Sequence, residues 1–202
     1  MYHAGDYDLA GFSVGAAERG VLLPRPDVQA GDVLLGLAST GVHSNGFSLA
    51  RRVLAASGLR LDAPCPFGPG TMGEALLTPT KIYVKSLLAL HHKGLLKAAA
   101  HITGGGLPGN LPRVLPEGVT AMVDGTAWVA PPVFSWLART GNIAAEEMLR
   151  VFNCGIGMVL VVAPEAADAA LALLAEAGER AMRIGRLEAG AQGVVMEKPL
   201  AL

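Results

Sequence analysis

Apolar residues in this chain gather into short runs separated by Gly, Pro, Ser, Thr and Asn. Val33 to Ala38 is a continuous apolar run of strand length, the pattern of a strand covered on both faces. Ser39-Thr40-Gly41 ends it in a turn. Ser44 or Asn45 then offers an N-cap for a helix from about Gly46 to Ala56, stopped by Gly58. Phe47, Ala50 and Leu54 fall on one face of that helix. A short helical pattern follows near Met72 to Leu77, and a longer one over Ile82 to His92 is closed by Gly94. Ala98 to Thr103 predicts a second buried strand, broken by Gly104-Gly105-Gly106 and followed by a short helix near Pro108 to Leu115. Val119 to Val123 and Gly157 to Val162 are strand-like, and helices are expected over Pro132 to Arg139, Ala144 to Val151 and Pro164 to Ala177. Ala181 to Leu187 and Val194 to Glu197 close the pattern as strands.

Strands and helices interleave irregularly, with helices running together twice and strands running together at the end. That order predicts an α+β fold, a mixed β-sheet layered with helices, in one compact domain. Tyr7 to Gly15 alternates like a strand with almost nothing before it, so the chain reads as starting inside a larger unit.

Composition narrows the function classes. Hydrophobic residues make up 51% and charged residues 16% of the 202 residues, which excludes a disordered chain. A net charge of −1 and 5% aromatics argue against nucleic-acid binding by bulk charge or base stacking. The longest apolar run, Ala169 to Ala175, is far too short for a membrane helix, and no secretory leader is visible, so a cytoplasmic location is expected. Two cysteines far apart, Cys65 and Cys154, suggest neither a disulfide scaffold nor a zinc site.

Candidate chemistry lies where strands end. Ser39 to Gly46 places His43, hydroxyls and the Asn45 carboxamide on a strand-to-helix loop, a set suited to stabilising phosphoryl charge. The plainer alternative makes Ser44 and Asn45 caps and His43 a surface residue. His101-Ile102-Thr103-Gly104-Gly105-Gly106 offers successive amides as an anion nest, or only a tight turn; it is neither a Walker motif nor a full dinucleotide fingerprint. In Phe152-Asn153-Cys154-Gly155-Ile156-Gly157, Cys154 reads as a buried inert thiol. His91-His92 makes a poor metal pair, because adjacent helical residues face different ways.

Six blocks together resemble one family. They are Asp8-Leu9-Ala10-Gly11-Phe12, His43 to Ser48, Leu77 to Tyr83, His101 to Gly106, Pro112 to Pro116 and Phe152 to Gly155. In order and spacing they resemble aminoimidazole ribonucleotide synthetase, the phosphoribosylformylglycinamidine cyclo-ligase of purine biosynthesis. The resemblance implies that residues 1–202 form the C-terminal domain, with 1–16 at the junction to an N-terminal domain that carries much of the ATP site and dimerises.

It further implies an ATP-dependent ligase that closes formylglycinamidine ribonucleotide to aminoimidazole ribonucleotide, releasing ADP and phosphate. His43 would be catalytic. Ser44, Asn45, Gly46, Thr103, Gly104, Gly105, Gly106, Asp8 and Asn153 would bind substrate or phosphate. ATP and Mg²⁺ would be held mostly by the N-terminal domain, with no metal ligand in this chain, and the full-length protein would be a homodimer. This domain alone would be inactive. Relatives on the same plan are formylglycinamidine synthetase, selenophosphate synthetase and thiamine-monophosphate kinase; a non-catalytic module that needs a partner domain is the remaining alternative.

Overall fold

The structure, a computed structural model, describes residues 10–202. Six strands form one sheet in the order β2-β4-β1-β5-β3-β6. They are β1 (Val33–Ala38), β2 (Ala98–His101), β3 (Val119–Asp124), β4 (Ile156–Val162), β5 (Ala181–Ala189) and β6 (Gly193–Lys198). All neighbours are antiparallel except β3 and β6, which run parallel, so the sheet is mixed. Seven α-helices accompany it: α1 (Phe47–Ser57), α2 (Met72–Leu76), α3 (Val84–His92), α4 (Gly106–Asn110), α5 (Pro132–Gly141), α6 (Ala145–Val151) and α7 (Ala167–Glu176). The architecture is the α+β layering that the element order predicts.

The two apolar runs earn their burial from helices on both sides. On β4, Ile156, Val159 and Val161 join a core with residues of α1, α4, α5 and α6, whereas Met158, Leu160 and Val162 join one with Leu90 of α3 and Ala170 and Leu174 of α7. Central β1 divides likewise, Leu34 facing the first core and Leu35 and Leu37 the second. Gly36 leaves room on the first face for Ile184, whose Cγ2 lies 2.8 Å from where a Cβ would stand. Strand β3 is covered on one face only: Val119, Ala121 and Val123 are buried and alternate with half-buried Thr120, Met122 and Asp124.

A buried ion pair ties β1 to the segment entering β2. Lys97 Nζ stands 2.7 Å from Asp32 Oδ1 and donates to the Asp27 carbonyl at 2.9 Å, while Asp32 Oδ2 accepts from the Gln29 amide. Each polar atom is matched, which is what makes a charge this deep tolerable.

Several sequence expectations shift. Helix α3 begins at Val84, with Tyr83 at its N-cap, and β2 stops at His101 rather than Thr103. The expected helix over Pro108 to Leu115 is α4 followed by a 3₁₀ turn, Leu111–Val114, whose Pro112 cannot continue an α-helical ladder. The strand expected over Tyr7 to Gly15 falls partly outside the described residues; its described part, 10–15, is exposed and belongs to no strand. Among the described residues no helix is long and apolar enough to cross a membrane.

Candidate functional site

Strands β1 and β2 both run antiparallel to β4, which lies between them, so their C-terminal ends and the start of β4 share one edge. Four segments converge there: 39–46 after β1, 102–106 after β2, 152–155 before β4, and 78–83 before α3. Thr40 Oγ1 donates to the Pro79 carbonyl at 2.7 Å, and the Ser44 and Thr80 hydroxyls are 3.1 Å apart. Asn45 Oδ1 accepts from the Gly104 amide at 3.0 Å and joins the first candidate loop to the second.

Those bonds explain why Ser44 and Asn45 do not cap α1. The N-cap is Gly46, left-handed at φ 74°, and no side chain caps the helix. A Cβ at Gly46 would stand 2.3 Å from the Phe152 ring, so glycine is required there for packing as well as for its φ. With glycine turning the chain, the polar side chains before it reach across to other loops. Gly46 itself is a packing position and offers no side chain to a ligand.

His43 is buried, 3% exposed, with φ 58°, and is not the surface loop residue of the plainer reading. Its Nε2 accepts from the Thr40 amide at 3.2 Å, and its Nδ1 is buried without a partner. The ring centroid lies 6.3 Å from that of Tyr83 and 6.5 Å from that of His101, and those two are 6.3 Å apart. Gly157 makes this arrangement possible: a Cβ there would meet the Tyr83 hydroxyl at 2.1 Å and His43 Cε1 at 2.7 Å. Burial, with the charges of His101 and Lys81 nearby, pushes the His43 pKa down to about 4. Tyr83 donates its hydroxyl to the Ala38 carbonyl at 2.9 Å, and burial together with Glu179 holds its pKa above the ordinary phenol value.

The glycine loop meets one requirement of an anion nest and weakens another. Gly105 (φ 97°) and Gly106 (φ 58°) both take left-handed backbone, which residues bearing a Cβ resist. Yet the Gly104 amide is held by Asn45 and the Gly106 amide donates to the Thr103 carbonyl at 2.9 Å, so of the three glycine amides that of Gly105 is left for a ligand. Gly106 is glycine for a packing reason: a Cβ would fall 1.8 Å from the Leu149 carbonyl oxygen. Thr103 donates its hydroxyl to Asn110 Oδ1 at 3.1 Å, and Asn110 Nδ2 returns bonds to the carbonyls of Thr103, Gly104 and Gly106.

Asn153 lies beside the site but is spent on the backbone. It is 1% exposed, its Nδ2 donates to the Gly41 and Val42 carbonyls at 2.9 and 3.3 Å, and its Oδ1 accepts from the Gly155 amide at 2.8 Å. Both polar atoms of its carboxamide are thus engaged in shaping the 39–46 loop. Cys154 is buried, its thiol donates to the Met148 carbonyl, and burial raises its pKa to about 12, so it is inert. Asp8 lies outside the described residues.

The structure brings to the site side chains to which the sequence gives no role, although His101 and Lys81 lie within its motif blocks. His101 ends β2 exposed, facing His43 and Tyr83. Lys81 pairs with Glu179 at 2.6 Å and lies 5.7 Å from the Tyr83 ring centre, and Ser86 donates to the same carboxylate at 2.9 Å. A cleft of about 310 Å³ opens beside them, lined by His43, Ser44, Phe47, Leu76, Leu77 and Pro79 among others. Among the described residues no group of three or more His, Cys, Asp or Glu is placed to hold a metal ion. The single carboxylate here, Glu179, is engaged by Lys81 and Ser86, so these residues do not fit a Mg²⁺ site. What the arrangement can do is bind and orient a polar ligand through hydroxyls, imidazoles and loop amides.

The fold is shared with solved structures. Thiamine-monophosphate kinase from Stenotrophomonas maltophilia K279a superposes with a TM-score of 0.62 at 22% identity, over 92% of this chain and 56% of that one. Thermotoga maritima PurL complexed with AMPPCP matches at 0.51 and 13% identity, over 92% of this chain and 26% of that one. Escherichia coli HypE, a hydrogenase maturation protein, matches at 0.51 and 18% identity, over 83% of this chain and 46% of that one. The chain thus spans about half the length of the kinase and a quarter of PurL. Residues 29–198 match the family described as AIR synthase related protein, C-terminal domain, a range that takes in all six strands and the convergent loops. The chain belongs to that family.

Proposed function

We propose that this chain forms one wall of the active site of an ATP-dependent ligase that closes formylglycinamidine ribonucleotide to aminoimidazole ribonucleotide. The observation that carries the reading is the Asn45–Gly104 hydrogen bond with the His43–His101 approach. Two blocks that resemble the cyclo-ligase, some 60 residues apart, are thereby joined at one edge of the sheet. The AMPPCP complex of PurL supports an adenine nucleotide as the phosphoryl donor.

In this reading the Ser44 and Thr80 hydroxyls, His101 and the Gly105 amide orient a phosphorylated substrate. Positioned donors then stabilise charge as the formyl oxygen is phosphorylated and the amidine nitrogen displaces phosphate. Mg²⁺ and most of the ATP contacts would come from a second domain. Exposed Leu77 (76%), Ile82 (80%) and Val84 (59%) beside the cleft offer that domain an apolar seat. The whole enzyme would be a cytoplasmic homodimer, with Asp8 and residues 1–16 at the domain junction.

ADP release, measured for this chain alone and for the chain joined to an N-terminal domain of the same family, tests the reading. Turnover is expected only in the joined protein and with formylglycinamidine ribonucleotide. Turnover of thiamine monophosphate instead would assign the chain to a kinase, the alternative favoured by the 0.62 TM-score to that enzyme.

A further inference from the structure

Imidazole can donate or accept at either nitrogen, and the protein around it decides which. At His43 the decision is made by the backbone. The Thr40 N–H points at Nε2 from 3.2 Å, so Nε2 must present its lone pair, and in the neutral ring the proton then sits on Nδ1. The ring has little freedom to turn over. Gly157 lies against Cε1, Tyr83 packs beside it and is itself held by the Ala38 carbonyl, and the left-handed backbone at His43 sets the direction of the side chain.

Nδ1 is therefore a buried donor with no acceptor, and Ser39 Oγ in the same loop is also buried without a partner. Two uncompensated polar atoms in one short loop are unusual, because buried polar groups are nearly always paired. Both lie in the loop that leads to the cleft lined by His43 and Ser44, and they leave hydrogen-bonding capacity there for a polar ligand.

We propose that the Thr40 amide fixes His43 as the neutral tautomer with its proton on Nδ1, and that His43 serves the site by donating this hydrogen bond to a phosphoryl or carbonyl oxygen of the substrate, not by transferring a proton. Thr40 is then a positioning residue that acts through its main chain. The proposal rests on the phosphate-handling site argued above.

The surroundings agree. His101 at the end of β2, Lys81 ahead of α3 with its partner Glu179 ahead of β5, and Tyr83 at the start of α3 are the titratable groups around the ring. Burial opposes a charge on His43, and the neighbouring His101 and Lys81 add to that. A proton shuttle would need a pKa near the working pH; a fixed donor needs the reverse.

Long-range ¹H–¹⁵N NMR of the histidine-labelled full chain reads the tautomer directly. Nδ1 should give a protonated, pyrrole-type shift and Nε2 an unprotonated one, with no titration from about pH 8 down to about pH 5. A proton on Nε2, or charging near pH 6.5, overturns the proposal. Titration of the joined protein, labelled at histidine and glycine, with ATP and with inorganic phosphate then tests the donor role, because both His43 Nδ1 and the Gly105 amide should move. Movement of Gly105 alone overturns the donor role while the site reading stands. If neither moves, the site reading fails and the donor role with it.

Variants in the joined enzyme give a second readout. The carboxamide nitrogen of H43N lies near the place of Nδ1 and that of H43Q near the place of Nε2. H43N should therefore keep kcat within about tenfold, whereas H43Q should lose about 10²-fold or more, the usual scale for a positioned group. The opposite order overturns the proposal. If both variants fail to fold, the wild-type spectra still decide.

Discussion

Replacing Gly157 by alanine probes how the sheet holds the candidate site. The new Cβ would fall 2.1 Å from the Tyr83 hydroxyl oxygen and 2.7 Å from His43 Cε1, both far inside contact distance. Neither group can retreat freely, since Tyr83 is 4% and His43 3% exposed and the tyrosine is bonded to the Ala38 carbonyl. Forced repacking of this kind costs about 1–3 kcal/mol. Loss of the Tyr83 hydrogen bond adds about 0.5–1.5 kcal/mol. Against these, alanine lowers unfolded-state entropy and returns about 0.4–1 kcal/mol. The net expectation is a loss of about 1–3.5 kcal/mol, a fall in Tm of roughly 2–14 °C at 2–4 °C per kcal/mol for a chain of this size.

Urea unfolding of wild type, G157A, Y83F and the double variant forms a complete cycle. Removing the hydroxyl removes the closest clash, so Y83F, costly alone by about 1 kcal/mol, should become stabilising in the G157A background. The coupling should be about 1–3 kcal/mol in favour of the pair. A G157A variant within about 0.5 kcal/mol of wild type, or a cycle with no coupling, would refute the claim that Gly157 is there for the two rings.

Three further outcomes follow from other parts of the structure. Lys97→Met strands Asp32, 1% exposed, without its cation and should cost about 3–5 kcal/mol in urea unfolding, whereas the double variant K97M/D32N should recover at least part of that loss. Gly106→Ala drives a Cβ into the Leu149 carbonyl oxygen at 1.8 Å in left-handed backbone and should lower soluble yield and unfolding midpoint sharply, while Gly104→Ala, whose nearest neighbour is 3.9 Å away, should shift the midpoint little. For His43, the folded pKa near 4 lies below the unfolded value of 6.5. The unfolded chain binds the proton first, so stability is intact above about pH 6.5 and falls as pH drops toward 4. The loss approaches about 3 kcal/mol, and H43N should show a shallower fall than wild type in unfolding midpoints at pH 7.5 and pH 5.

Local pattern was enough for most of the elements, though not for the strand expected over Tyr7 to Gly15 or the single helix expected over Pro108 to Leu115. The apolar runs at Val33–Ala38 and Gly157–Val162 are strands because helices cover both their faces, and the irregular order of strands and helices already pointed to a mixed sheet. The motif blocks at His43, His101 and Asn153 marked the segments that meet at the sheet edge. What each residue does there depends on partners far along the chain. Ser44 and Asn45 look like caps in sequence, because capping is a local bond; they bond instead to Thr80 and Gly104, 36 and 59 residues away. Asn153 looks like a ligand group until its carboxamide is seen to close the 39–46 loop, and Gly106 looks like part of a nest until the Leu149 carbonyl is found against it. The proton on His43 is settled by a backbone amide three residues earlier, in a turn whose left-handed geometry no propensity foretells. Spacing along a chain records which groups can be neighbours within a turn or strand. Which buried donor meets which acceptor across the fold is set only when the sheet brings its loops together.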